Sequence, residues 1–177
     1  MVYTHKYESP IGPILLAADE IGLIGLWFEG QKYFANTLPD ERVSQETEIL
    51  TEAKKWLDVY FSGKEPKFTP PLHPMGSPFR QAVWQILLQI PYGTTMTYGE
   101  IAGNMAELYK IPRMSAQAVG GAVGHNEVSI IIPCHRVVGT NGSLTGYAGG
   151  IDKKISLLEL EHTDMSGFFV PKKGTAL

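Results

Sequence analysis

Two stretches decide how the second half of this chain folds: Thr97-Tyr98-Gly99-Glu100-Ile101-Ala102-Gly103-Asn104-Met105-Ala106-Glu107-Leu108 and, after a turn, Ser115-Ala116-Gln117-Ala118-Val119-Gly120-Gly121-Ala122-Val123-Gly124. Thr97 with Glu100 three residues on is a capping-box pattern, and Ile101, Met105 and Leu108 continue on one face, so a short helix starts at Tyr98. A second starts after Ser115 and is built almost wholly of small residues around Val119 and Val123. Gly120 and Gly121 each cost a helix about 1 kcal/mol relative to Ala, so the slim surface needs a reason. The pattern leaves two open: close approach of DNA, as on the recognition helix of a helix-turn-helix, or a neighbouring helix packed tightly against it. The turn, Glu107 to Met114, is longer than the roughly three or four residues usual in that motif.

Working back toward the N-terminus, Ser77 and Pro78 read as N-cap and first helical residue. Phe79, Ala82, Val83, Ile86, Leu87 and Ile90 then form one stripe, ending at Pro91-Tyr92-Gly93. Between Ser62 and Gly76, Pro66, Pro70, Pro71 and Pro74 mark an extended linker. Leu50, Ala53, Trp56, Leu57, Tyr60 and Phe61 recur at helical spacing within Gln45 to Phe61. Tyr3 to Ser9, Pro13 to Ala18 and Ile21 to Phe28 read as short strands of an antiparallel meander, on which that helix packs. The expected layout is an α/β domain over residues 1–76, linker included, followed by a mainly helical domain over 77–177.

Composition sets outer limits. A chain of 177 residues with 44% apolar content buries a real core. No apolar run approaches the roughly 18 residues of a membrane span, so a soluble protein of a cytoplasmic compartment is expected, without a membrane partner. A single cysteine, Cys134, makes neither an internal disulfide nor a Cys-rich zinc site, and no metal or cofactor is expected. A net charge of −3 argues mildly against nucleic acid, although a local basic stripe would serve.

The chemistry gathers around that cysteine. Ile130-Ile131-Ile132 reads as a buried strand that delivers the chain to Pro133-Cys134-His135-Arg136. A lone cysteine is often a small core hydrophobe. An imidazole and a guanidinium beside it favour the thiolate instead, the reactive species. In the last helix Ile151, Ile155, Leu157 and Leu158 mark the apolar stripe. Glu161 follows three and four residues after the last two, which turns its carboxylate inward unless the helix end is frayed. A buried carboxylate needs a partner, and His135 is the natural one.

Asn126, the run IIIPCHRVV from Ile130 to Val138, Gly142, Gly146-Tyr147, Gly149-Gly150 and Glu161 resemble the O6-alkylguanine-DNA alkyltransferases. The likeness spans roughly Pro78 to Glu161. It implies a ribonuclease H-like N-terminal domain, a helical C-terminal domain containing a helix-turn-helix, and a monomer acting on double-stranded DNA that contains O6-alkylguanine. By that resemblance Cys134 accepts the alkyl group irreversibly, one lesion per molecule. His135 is its base through a water, Glu161 holds His135, Tyr98 donates to the departing guanine, and Asn126 braces the active-site loop. Gln117, Ala118, Gly120 and Gly121 would face DNA, and Thr140, Tyr147, Ala148 and Arg136 would contact the flipped base or its surroundings.

Tyr98 as a surface residue, Tyr147 as a loop aromatic and Asn126 as a turn former are the plainer readings of the same positions. Gln117 stands where many relatives carry arginine, and Ala148 where some carry a hydroxyl residue. Two rival functions remain at this level: a non-catalytic sensor of alkylated DNA, against which the cysteine itself argues, and a thiol hydrolase, which would turn over.

Overall fold

The computed structural model describes residues 1–172, which form two compact units. The first comprises Met1–Met75 together with Glu127–Ile131, and the second Gly76–Asn126 together with the chain from Ile132 onward. Against the expected division between residues 76 and 77, the first unit ends one residue earlier, at Met75, and takes in five residues from the second half.

In the first unit β1 (Tyr3–Ser9), β2 (Gly12–Ala18) and β3 (Leu23–Phe28) form the antiparallel meander. A two-residue strand, β4 (Val43–Ser44), adds to β1 in parallel, giving the order β3-β2-β1-β4. The sheet is thus mixed rather than purely antiparallel; two residues at the end of a long connection are too few to carry an alternating pattern. Helix α1 (Glu48–Phe61), capped by the Thr47 side chain, packs Leu50, Ala53, Trp56, Leu57 and Tyr60 inward. All six β3 residues are buried, because its free edge is covered as well as its faces. Leu23 N–H donates to Pro71 O at 2.7 Å and His73 N–H to Leu23 O at 2.8 Å. Leu26 N–H donates to Glu127 O at 2.8 Å and Ser129 N–H to Leu26 O at 3.0 Å. The Trp27 indole closes the same edge on the buried Glu127 carboxylate at 3.1 Å.

In the second unit α2 (Pro78–Leu87) begins at a Ser77 cap and ends three residues before Ile90, the last position of its apolar stripe. It packs with α3 (Tyr98–Leu108) and α4 (Ala116–Gly124), which start at the Thr97 and Ser115 caps. The Trp84 indole donates to Ala122 O at 2.9 Å and fixes α2 against α4. Strand β5 (Met96–Thr97) pairs in parallel with β6 (Val137–Val138), which follows a 3₁₀ turn at Cys134–Arg136, and α5 (Ile151–Leu160) closes the unit.

Ile130-Ile131-Ile132 is buried as expected but is not a strand. Ile130 adopts φ 70°, and short bonds from Ile131 N–H to Ser129 O and from Cys134 N–H to Ile132 O turn the chain instead of extending it. An apolar β-branched run reports burial, and periodicity alone does not separate a buried strand from a buried turn.

The glycines divide sharply. Among the described residues, a Cβ added at Gly120 or Gly121 meets no atom within 4 Å outside the helix's own backbone, so packing against them does not require a slim α4. Gly142 has φ 91°, and a Cβ there would run into the carbonyl oxygen of Gly167. Residues 165–169 form a strap over the 139–146 loop: Phe169 N–H donates to Gly142 O, Leu144 N–H donates to Phe169 O, and Met165 and Phe168 pack on Val138, Leu144 and Leu158.

Gly142→Ala is therefore expected to destabilise by about 1–3 kcal/mol, whereas Gly120→Ala gains about 1 kcal/mol from helix propensity. Urea denaturation of the two variants checks both signs; equal effects would contradict the packing described.

Candidate active site

Cys134 opens the 3₁₀ turn and is 5% exposed. Its sulfur accepts a hydrogen bond from the Asn126 side chain, whose Nδ2 also donates to Ile132 O at 2.8 Å. Asn126 thereby spans the two points at which the chain leaves and re-enters the second unit. Burial pushes the Cys134 thiol up; the Asn126 amide, the Lys154 charge and the backbone N–H groups of Cys134 and His135 oppose that without cancelling it. At neutral pH Cys134 is a thiol, and it needs a base before it can react as a thiolate.

His135, the next residue, is 0% exposed. Its Nε2 lies 2.6 Å from Glu161 Oε2, while Nδ1 has no hydrogen-bond partner among the described residues. Burial lowers the imidazole pKa, and the positive charges of Arg136 and Lys154 act in the same direction against Glu161, so the ring is neutral near pH 7. A carboxylate on Nε2 fixes that nitrogen as the N–H donor and leaves the Nδ1 lone pair free to accept a proton.

Glu161 caps the C-terminus of α5 and is 1% exposed. Burial works against its charge, but the His135 bond and the Arg136 guanidinium outweigh burial and hold the carboxyl at about 2. Arg136 Nε donates to Oε1 at 2.8 Å and Nη2 to Oε2 at 3.2 Å, and Gly93 N–H reaches Oε1 at 3.4 Å. Arg136 Nη1 donates to Ile90 O at 2.7 Å. Arg136, expected beside the flipped base or its surroundings, is buried, and its Nε, Nη1 and Nη2 each hydrogen-bond within the protein. A guanidinium forks onto the nearest buried carboxylate in preference to water.

Tyr98, the first residue of α3, donates its hydroxyl to Thr145 O at 3.3 Å. Burial, then the Cys134 charge, raise its pKa to about 12, so it stays a proton donor. Tyr147 is buried with its ring edge-on to His135, centroids 6.4 Å apart. Ala148 is half-buried, whereas Thr140 is exposed, its Oγ1 lying 3.3 Å from where a Gly99 Cβ would sit. Gln117, Ala118 and Gly121 are exposed on α4 and Gly120 is half-buried; the structure does not bring them into the Cys134 cluster.

Sequence reasoning missed Lys154. Its ammonium is fully buried and donates to Val137 O and to Thr145 O, the carbonyl that Tyr98 also uses. The signal was present: position 154 lies between Ile151 and Leu157/Leu158 on the apolar stripe of α5, where a lysine has no route to water.

Comparison with known proteins extends this picture to the whole chain. The family model described as "6-O-methylguanine DNA methyltransferase, ribonuclease-like domain" matches residues 2–74, and its companion, the DNA binding domain, matches residues 78–163. The methylated-DNA–protein-cysteine methyltransferase of Methanosarcina acetivorans is 48% identical over 161 residues, covering 90% of this chain and 98% of that protein. Its Mycobacterium leprae counterpart is 43% identical, covering 91% and 93%. Among solved structures, Mycobacterium tuberculosis OGT in complex with DNA is similar with a TM-score of 0.77 at 41% identity, covering 90% of this chain and 92% of that one. With its two halves matched by the family's two domains and its length shared with such relatives, this chain belongs to the 6-O-methylguanine DNA methyltransferase family.

Proposed function

We propose that this protein repairs double-stranded DNA by drawing the alkyl group of an O6-alkylguanine onto Cys134, irreversibly and once per molecule. The observation that carries the reading is the division of labour on the His135 ring, Nε2 held by Glu161 and Nδ1 left without a protein partner. The thiol proton then reaches Nδ1 through an intervening water rather than directly.

As the proton leaves, a sulfur lone pair forms the S–C bond and the C–O6 bond breaks. The electron pair goes to the guanine, which takes a proton from the Tyr98 hydroxyl. Return of the proton from His135 restores Tyr98, so only the sulfur ends changed. Asn126 steadies the sulfur and the turn that carries it. The product is a thioether without an acyl carbonyl for water to attack, and no group in the site regenerates the thiol.

The target atom is stacked inside duplex DNA, so the nucleotide is flipped out at a cost of a few kcal/mol, which DNA contacts offset. We assign those contacts to α3, its turn and α4 acting as a helix-turn-helix with α4 as recognition helix. The open space that an added Cβ would enter at Gly120 and Gly121, among the described residues, supports this over internal packing. Gln117 lacks the arginine charge but can donate hydrogen bonds to the orphaned base, and Thr140, Tyr147 and Ala148 border the pocket. The likeness to a relative solved with DNA supports the same partner.

Cys134→Ser should keep binding oligonucleotides with O6-methylguanine and lose all methyl uptake, read by anisotropy and by transfer of a labelled methyl; uptake by the variant would sink the assignment. Gly121→Leu adds bulk where nothing inside the protein resists it, and should weaken DNA affinity about tenfold, roughly 1.4 kcal/mol, with thermal stability unchanged.

Glu161 sits below the ordinary carboxylate range, so its stabilisation is fully present above that range and drains away as pH falls toward about 2. Glu161→Gln strands the Arg136 guanidinium and should cost about 3–5 kcal/mol at pH 7. The gap to wild type should close in acid. Transfer by the folded variant should slow about a hundredfold as His135 loses its anchor. Denaturation across pH and single-turnover rates test this, and a variant as stable as wild type at pH 7 would contradict it.

A further inference from the structure

The mechanism above leaves one buried charge unused. Lys154 stands in the first turn of α5 with its side chain out of contact with solvent. Its two acceptors, Val137 O and Thr145 O, are neutral carbonyls. Among the described residues no carboxylate forms an ion pair with it: Glu161, at the far end of the same helix, is taken by His135 and Arg136. An ammonium removed from water with only carbonyl partners is unfavourable unless an anion also faces it.

The other titratable groups of the cluster, besides Glu161, are Cys134, His135 and Arg136 on the 3₁₀ turn, Tyr98 on α3 and Tyr147 on the loop before α5. Arg136 is already paired, His135 is neutral, and Tyr98 is a protonated phenol. Of these, Cys134 is the group whose charge acts on Lys154. Burial lowers the Lys154 pKa to about 8, and the Cys134 charge is the influence opposing that fall. The two carbonyls matter as well. Val137 lies three residues beyond the nucleophile, and Thr145 O receives the Tyr98 hydroxyl, so one ammonium fixes the chain on the nucleophile side and on the proton-donor side of the site.

We propose that Lys154 is an electrostatic positioning residue for alkyl transfer, balancing the Cys134 thiolate as it forms and holding Thr145 O in place for the Tyr98 hydroxyl. The inference rests on Cys134 being the acceptor. Lys154 keeps its proton throughout: the thiol proton leaves toward His135, the S–C bond forms as the C–O6 bond breaks, and the guanine is protonated by Tyr98.

The test is the single-turnover rate of methyl transfer from a saturating oligonucleotide bearing O6-methylguanine, measured between pH 6 and 10 for the full chain and for Lys154→Met. Intact mass and peptide mapping read the product on Cys134. Wild type should lose rate above about pH 8, where the ammonium deprotonates, although simple thiol ionisation would make the rate climb. Lys154→Met should be about tenfold slower at pH 7, the effect of one unit on the thiol pKa, and its rate should rise through pH 10 with no falling limb. A role confined to packing would lower the rate without changing the shape of the profile, and that result overturns the proposal.

A wild-type rate that climbs steadily to pH 10 overturns it even if the variant does not fold. Absence of label on Cys134 at every pH overturns the acceptor reading and this inference together, whereas normal labelling with superimposable profiles overturns this inference alone.

Discussion

Taking a carboxylate out of water is unfavourable unless donors replace its hydration, and Glu161 is supplied by His135, Arg136 and the Gly93 backbone. That one group ties the end of α5 to the turn bearing Cys134 and to the turn after α2. It also dictates the fates of three consecutive side chains. Cys134 is left to the Asn126 amide, His135 has its tautomer fixed, and Arg136 is turned inward as counter-ion. The Arg136 charge serves the stability of the site.

The face of α4 proposed to meet DNA is unusual for a partner of a polyanion. The chain carries a net charge of −3, and α4 contains no lysine or arginine. What α4 offers is shape: Ala116, Ala118 and Gly121 are exposed without bulk, so a duplex can approach the backbone closely. Electrostatic attraction is the long-range part of DNA binding, and steric fit acts only on contact. On the proposed assignment, binding through α4 rests on short-range fit and on the helix N-terminus more than on salt-sensitive charge. The pocket loop has separate support. Residues 165–169 hold the 139–146 loop through backbone bonds and an apolar cluster, leaving Cys134 and its partners to be set by the interior.

Much of this was legible in the residues. Ser77, Thr97 and Ser115 marked three helix starts, because a cap is a local event with a local signature. The inward direction of Glu161 followed from its place beyond Leu157 and Leu158 on a helical stripe. What escaped depended on distant partners. The Ile130–Ile132 run announced burial but not its left-handed turn, and β4 was too short to show a period. The 127–131 segment joins the first unit through bonds to Leu26 and Trp27, a hundred residues away in sequence. The pairing of Arg136 with Glu161 is a tertiary contact that no local pattern announces. Lys154 broke an apolar stripe and could have been noticed, since buried lysines on helices are rare without a task.

The central claim is that the one cysteine is consumed stoichiometrically. Intact mass and peptide mapping after incubation with an oligonucleotide bearing O6-methylguanine, below and then above one equivalent, tests it most directly. A single methyl on Cys134, saturating at one per protein molecule, is the predicted result. Demethylated DNA in excess of protein, or bound DNA with no gain in mass, would contradict it.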